Sequence, residues 1–137
     1  MTGRADPPLI RVVLVDDSRP QREGYRMIID SQPDLTVVGQ AGDGAQALAV
    51  LRRVPADVVL MDIQMPRVNG LLAAERIAAD VRVAELGPSP RIILLAAIDL
   101  DDHVPDAALA GAFAVLYKDV DPDGLLDTIR TAASYRD

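Results

Sequence analysis

Short apolar runs alternate along this chain with stretches whose apolar residues recur at helical spacing. The runs are residues 9–15, 35–41, 58–61, 91–95 and 112–117, mostly bounded by Gly, Pro or Asp. Runs of that length read as strands. Val58-Val59-Leu60-Met61 has the unbroken apolar character of a strand covered on both faces.

Helix signals lie between them. Ser18 and Gln21 have capping-box spacing, with Pro20 in the first turn, and Tyr25, Ile28 and Ile29 share one side. Gln32-Pro33-Asp34 breaks that helix. Asp43 caps a second helix carrying Leu48 and Leu51, which Pro55 ends. A third is expected from Asn69 or Gly70 to about Val83, with Leu71, Ala74, Ala78 and Val81 inward. A short fourth carries Val104, Ala107 and Ala108; Pro105 delays its start and Gly111 closes it. Asp121-Pro122 opens the last, with Leu125, Leu126, Ile129 and Ala133 inward.

Strand–helix alternation implies parallel strands joined by right-handed crossovers. The predicted fold is α/β: a three-layer, doubly wound, flavodoxin-like sheet of five parallel strands in order 2-1-3-4-5, with five helices. One domain is expected over residues 9–134. Residues 1–8 are expected to be disordered and 135–137 to form a tail.

Composition narrows the classes. A chain of 137 residues suits one core. Half its residues are hydrophobic but only 3% are aromatic, so Val, Ile, Leu and Ala must do the packing. Without Cys there are neither disulfides nor thiolate metal sites. No apolar segment is long enough to span a bilayer and residues 1–8 lack a signal-peptide core, so a cytoplasmic location is the default. A net charge of −7 argues against nucleic-acid binding by this chain.

The chemistry gathers at strand ends. The first strand ends in Asp16-Asp17, the third in Asp62 and the fifth in Lys118. In the order 2-1-3-4-5, strands one and three are neighbours at the switch point, where open α/β sheets bind ligands. Asp16, Asp17 and Asp62 then meet, repel one another and raise each other's pKa. All-oxygen ligation points to a hard cation, and magnesium binds through one or two carboxylates plus waters and phosphate oxygens. The Lys118 ammonium can hold a phosphoryl group as a point charge. One such carboxylate could be a loop solubiliser; the set of four is hard to explain that way.

These motifs resemble the receiver domain of bacterial two-component response regulators. Val13-Leu14-Val15-Asp16-Asp17-Ser18 is similar to the family's acidic pair. Met61-Asp62-Ile63-Gln64-Met65-Pro66 with Gly70 is similar to its phosphoacceptor loop, and Tyr117-Lys118-Asp119 to its lysine motif. Residues 37–44 and Asp99-Leu100-Asp101 resemble the NarL/LuxR-type subfamily, which usually carries a helix-turn-helix domain. The resemblance implies that Asp62 accepts a phosphoryl group from a sensor histidine kinase. It implies that Asp17, Asp62 and the backbone carbonyl of Gln64 ligate Mg2+, with Asp16 completing the site directly or through water. It implies that Lys118 binds the phosphoryl oxygens. The implied protein is a phosphorylation-controlled interaction module rather than an enzyme. A homodimer and a C-terminal DNA-binding domain outside this chain are consistent with it.

Two positions depart from the family pattern. A Thr or Ser is expected where Ala96 stands, and a Tyr or Phe where Val115 stands, three residues before the lysine. Tyr117, adjacent to the lysine, is expected to be turned differently by strand alternation and not to substitute for that aromatic. A degenerate receiver that signals without phosphorylation is therefore one alternative. Another is a phosphatase with an aspartyl phosphoenzyme, but it would need an acid two residues after Asp62, where Gln64 stands. His103, the single histidine, reads as a surface residue, and Met61 and Met65 as packing. Arg22, Arg26, Arg52 and Arg53 read as solvated helix faces.

Overall fold

The computed structural model describes residues 9–63, 65, 70–96 and 111–134. Five parallel strands form one sheet in the order β2-β1-β3-β4-β5. They are β1 (Ile10–Val15), β2 (Leu35–Ala41), β3 (Val58–Asp62), β4 (Arg91–Ala96) and β5 (Ala114–Tyr117). The described helices are α1 (Arg19–Asp30), α2 (Gly44–Leu51), α3 (Gly70–Ala79), the short α4 (Val81–Glu85) and α5 (Pro122–Ser134). The expected fold and strand order are as found. The helix expected around Val104, Ala107 and Ala108, with His103 and the 99–102 acids, lies outside the described residues. So do 1–8 and 135–137.

Alternation along the strands divides the core in two. Val13, Val15, Val59, Met61 and Leu94 face Ala47, Leu51, Ala74 and Ile77 of α2 and α3. Val12, Leu14, Val58, Leu60 and Ile93 face Ile29 of α1 and Leu125, Leu126 and Ile129 of α5. Central β3 is buried along its whole length, as its unbroken apolar run predicts, whereas edge strand β5 is only half-buried. Met61 and Met65 are core residues, as expected.

Caps fall where the sequence places them. The Ser18 hydroxyl accepts from the Gln21 amide at 3.4 Å, Asp43 from Gln46 at 2.8 Å, and Asp121 from Gly124 at 2.7 Å. The third helix differs from expectation. Asp80 has extended backbone (φ −81°, ψ 122°), ends α3 and caps α4, its Oδ1 accepting from the Val83 amide at 3.0 Å. Arg52, the C-cap of α2, donates to the other Asp80 oxygen at 2.7 Å. The break rotates the inner stripe onto Ala73, Ala74, Ile77 and Val83. Ala78 is exposed and Val81 is 72% exposed, not inward.

Candidate functional site

The site is built from strand ends. Val15 pairs with Met61, so the next residue on each strand, Asp16 and Asp62, lie side by side at the C-terminal edge. Asp17 follows as the chain turns into α1. Strand β4 lies between β3 and β5, so Lys118 starts roughly two strand spacings away, ~9.5 Å. Its amide extends the ladder to the Ala96 carbonyl at 2.9 Å, and its long side chain crosses the end of β4. There Nζ donates to Asp62 Oδ2 at 2.9 Å.

Carboxylate oxygens of Asp16, Asp17 and Asp62 lie within 4.8 Å of one another. Asp16 and Asp62 are each 3% exposed, whereas Asp17 is open to solvent. Asp16 Oδ1 accepts from the Ser18 amide at 2.8 Å. Asp16 Oδ2 is buried and finds no hydrogen-bond donor among the described residues. Burial pushes the Asp16 carboxyl above its ordinary range, and the Asp62 and Asp17 charges push the same way. The Ser18 amide and Lys118 oppose the shift without cancelling it. Burial disfavours the Lys118 ammonium, but its hydrogen bond and attraction to Asp62 outweigh that and raise it. The Tyr25 phenol is raised by burial and by Asp16, within the same field.

An orphaned buried carboxylate oxygen beside two further carboxylates suits a hard cation: the donors are all oxygen, and carboxylates carry negative charge. The donor set therefore fits a magnesium-like ion.

Gly70, noted in sequence only as part of a motif, has a steric reason. A Cβ there would stand 2.4 Å from the Asp62 carbonyl oxygen and 2.8 Å from Ile63 Cα, so no side chain fits. Its amide donates to the Ile63 carbonyl at 2.8 Å. Gln64 lies outside the described residues.

Ala96 is fully buried at the end of β4, paired with Tyr117. Val115 and Tyr117 both pack against the core on the α2–α3 side. The expectation that Tyr117 turns away from Val115's face is therefore wrong. Residues two apart on a strand share a face.

Arg22 also differs from expectation. It is half-buried rather than solvated, and its guanidinium donates to the Asp16 carbonyl and, at 3.3 Å, to the Gln40 side chain. Its spacing with Tyr25 and Ile29 is that of one helix stripe, the sequence signal that could have revealed it. Arg52 is exposed, as expected, and pairs with Asp80, while Arg26 pairs on the surface with Glu23 and Asp30.

Comparison with known proteins agrees with this geometry. The family model described as the response regulator receiver domain matches residues 12–130. The transcriptional regulatory protein YxjL of Bacillus subtilis (strain 168) is 42% identical over 90% of this chain and 54% of its own length. The nitrate/nitrite response regulator protein NarL of Escherichia coli (strain K12) is 32% identical over 90% of this chain and 54% of its own. Among solved structures, the signal receiver domain of a NarL response regulator from Mycobacterium tuberculosis superposes with a TM-score of 0.82. It is 31% identical over 95% of this chain and all of that one. The chain spans about half the length of the curated relatives it matches.

Proposed function

Because the chain belongs to the response regulator receiver domain family, we propose that Asp62 takes a phosphoryl group from a sensor histidine kinase and that this controls the interactions of the domain. The observation that carries this reading is the Lys118 ammonium, 2.9 Å from a nearly buried Asp62 that shares its edge with Asp16 and Asp17.

In the transfer, the P–N bond of the kinase's phosphohistidine breaks and a P–O bond forms to the Asp62 carboxylate. Lys118 holds its ammonium where phosphoryl oxygens would arrive, countering their charge. Asp16, Asp17 and Asp62, with the Gln64 backbone carbonyl, would hold Mg2+; Asp16 Oδ2 supports this as a buried acceptor. When bound, the ion would neutralise charge on the phosphoryl oxygens. The chain's own residues supply position and charge and need no general acid, which sets this reading apart from a phosphatase.

The relatives' greater length supports an output domain outside this stretch, a helix-turn-helix domain by analogy with NarL-type regulators, with the receiver itself not touching nucleic acid. Homodimerisation through the receiver is part of the same proposal. Among the described residues no helix is long and apolar enough to cross a membrane.

A second reading draws on Ala96. Its buried methyl offers no hydroxyl to a phosphoryl group, and the aromatic ring on the Val115 face belongs to Tyr117, two residues further along β5. A receiver so built would couple phosphorylation weakly to its outer surface, or signal without it. One experiment separates the readings. With acetyl phosphate and Mg2+, intact-mass spectrometry should show one phosphoryl adduct, lost in Asp62→Asn. No adduct on the wild type with several donors would favour the phosphorylation-independent reading.

A further inference from the structure

We infer that Arg22 is a positioning residue for the acidic pair: by holding the Asp16 carbonyl it fixes the peptide plane that carries Asp17. The inference rests on the receiver reading for the use to which the pair is put.

Asp16 is gripped from three directions. Its amide donates to the Ala41 carbonyl of β2 at 3.1 Å. Its Oδ1 accepts from the Ser18 amide at 2.8 Å. Its carbonyl accepts from Arg22. Each grip comes from a different part of the chain: the neighbouring strand, the helix cap and the second turn of α1. Together they leave Oδ2 as the one buried oxygen of Asp16 without a donor among the described residues.

The carbonyl grip matters most for Asp17. A peptide unit is planar, so fixing the direction of the Asp16 carbonyl fixes rotation of the whole plane up to the Asp17 Cα. Asp17 is exposed, and its direction is set by the main chain that carries it. Strand pairing cannot do this work, because the β1–β3 ladder stops at Val15–Met61. Arg22 is itself held: its Nε donates to Gln40 on β2, and its own amide donates to the Ser18 carbonyl at 3.0 Å. The guanidinium makes both side-chain bonds from separate nitrogens held in a planar fork; a lysine has three donors on one nitrogen and lacks that fixed spacing.

The test compares Arg22→Met, Arg22→Lys and Gln40→Leu with the wild type in two measurements. The first is calorimetric titration with Mg2+. The second is the amide NMR signals of Asp17 and Ser18 in the metal-free protein. Arg22→Met should bind Mg2+ about tenfold more weakly, as expected when a charged donor is withdrawn from a buried acceptor. Its Asp17 amide should shift or broaden without metal. Arg22→Lys should recover at least half of the loss in logarithmic terms, because it still reaches the carbonyl. Gln40→Leu should change affinity by less than about threefold, since the residual Asp16 bond remains.

Unchanged Mg2+ affinity in Arg22→Met overturns the inference. So does a loss of affinity that leaves the Asp17 amide signal in place, which would assign Arg22 a general role in tying α1 to β2. If the wild type itself takes up no Mg2+, the receiver reading fails, and the amide signals still decide Arg22. An unmoved Asp17 signal in Arg22→Met then overturns the positioning role.

Discussion

The two ends of β1 and β3 carry similar side chains and treat them in opposite ways. At the N-terminal end, Asp57 Oδ2 accepts from the Arg11 amide at 2.8 Å and from its Nε at 3.2 Å, while Oδ1 accepts from the same guanidinium at 3.2 Å. The Arg11 guanidinium holds the Asp57 carboxylate, and the side chains are 44% exposed for Arg11 and 35% for Asp57. At the C-terminal end, three carboxylates meet one ammonium, and two of the three are almost out of water. An ion pair reached by solvent joins two strands at little cost. Excess charge away from solvent destabilises the fold until a cation arrives, and that imbalance marks the working end of the sheet.

The comparison can be broken most forcefully at Lys118. Lys118→Met withdraws the ammonium that is hydrogen-bonded to Asp62. It should destabilise the metal-free protein by about 2 kcal/mol, below the roughly 3–5 kcal/mol of a fully buried broken pair because Lys118 reaches solvent. Urea unfolding in EDTA measures it. An unaltered midpoint would mean that the carboxylates are already relieved by water.

Adding the cation should act in the opposite sense. At tenfold excess over its dissociation constant, Mg2+ should stabilise the wild type by about 1.4 kcal/mol through binding to the folded state alone. Asp17→Asn should lose most of that increment, whereas Arg11→Met should keep all of it. Thermal melts with and without Mg2+ show whether the response belongs to the acidic end.

A smaller effect is expected on removing one like charge. Asp16→Asn keeps the acceptor for the Ser18 amide and should stabilise the metal-free protein by about 1 kcal/mol at neutral pH. The sign follows from the pKa of Asp16, which is raised on folding. The folded state then holds the proton where the unfolded state has released it. Stability therefore falls as pH rises from the ordinary carboxylate range through the folded value. In the Asp16→Asn variant that fall should flatten; a pH profile identical to the wild type's would remove Asp16 from the account. The smallest change belongs to the opposite end, where Arg11→Met should cost under about 1 kcal/mol and fade in salt.

Much of this is legible in the sequence, and the rest fails for identifiable reasons. The β3 run and the strand–helix alternation specify the sheet, because burial on both faces demands unbroken apolar residues. Asp16, Asp62 and Lys118 follow from it, since each ends a strand: the strand order puts the two carboxylates side by side, and the length of the lysine side chain spans β4. What local pattern cannot supply is tertiary. Asp80 looks like one more polar residue in a helical stretch until Arg52 arrives from the C-cap of α2 to hold its second oxygen. Arg22 shares the helix stripe of Tyr25 and Ile29, so its half-burial is legible; its partner is not, because no side-chain motif records a main-chain carbonyl. Tyr117 is a different case, since the strand period of two already puts it on the face of Val115.

The fit of Gly70 against Asp62 has a mechanical consequence. With the carbonyl of Asp62 where even a methyl group could not be inserted, the first turn of α3 and the main chain at the acidic edge are in compression-stiff contact. A displacement of the Asp62 backbone toward Gly70 is a displacement toward the start of α3, with no side chain between them. Over the ten residues of α3, about 15 Å at helical rise, a small tilt at its start becomes a larger translation at its far end.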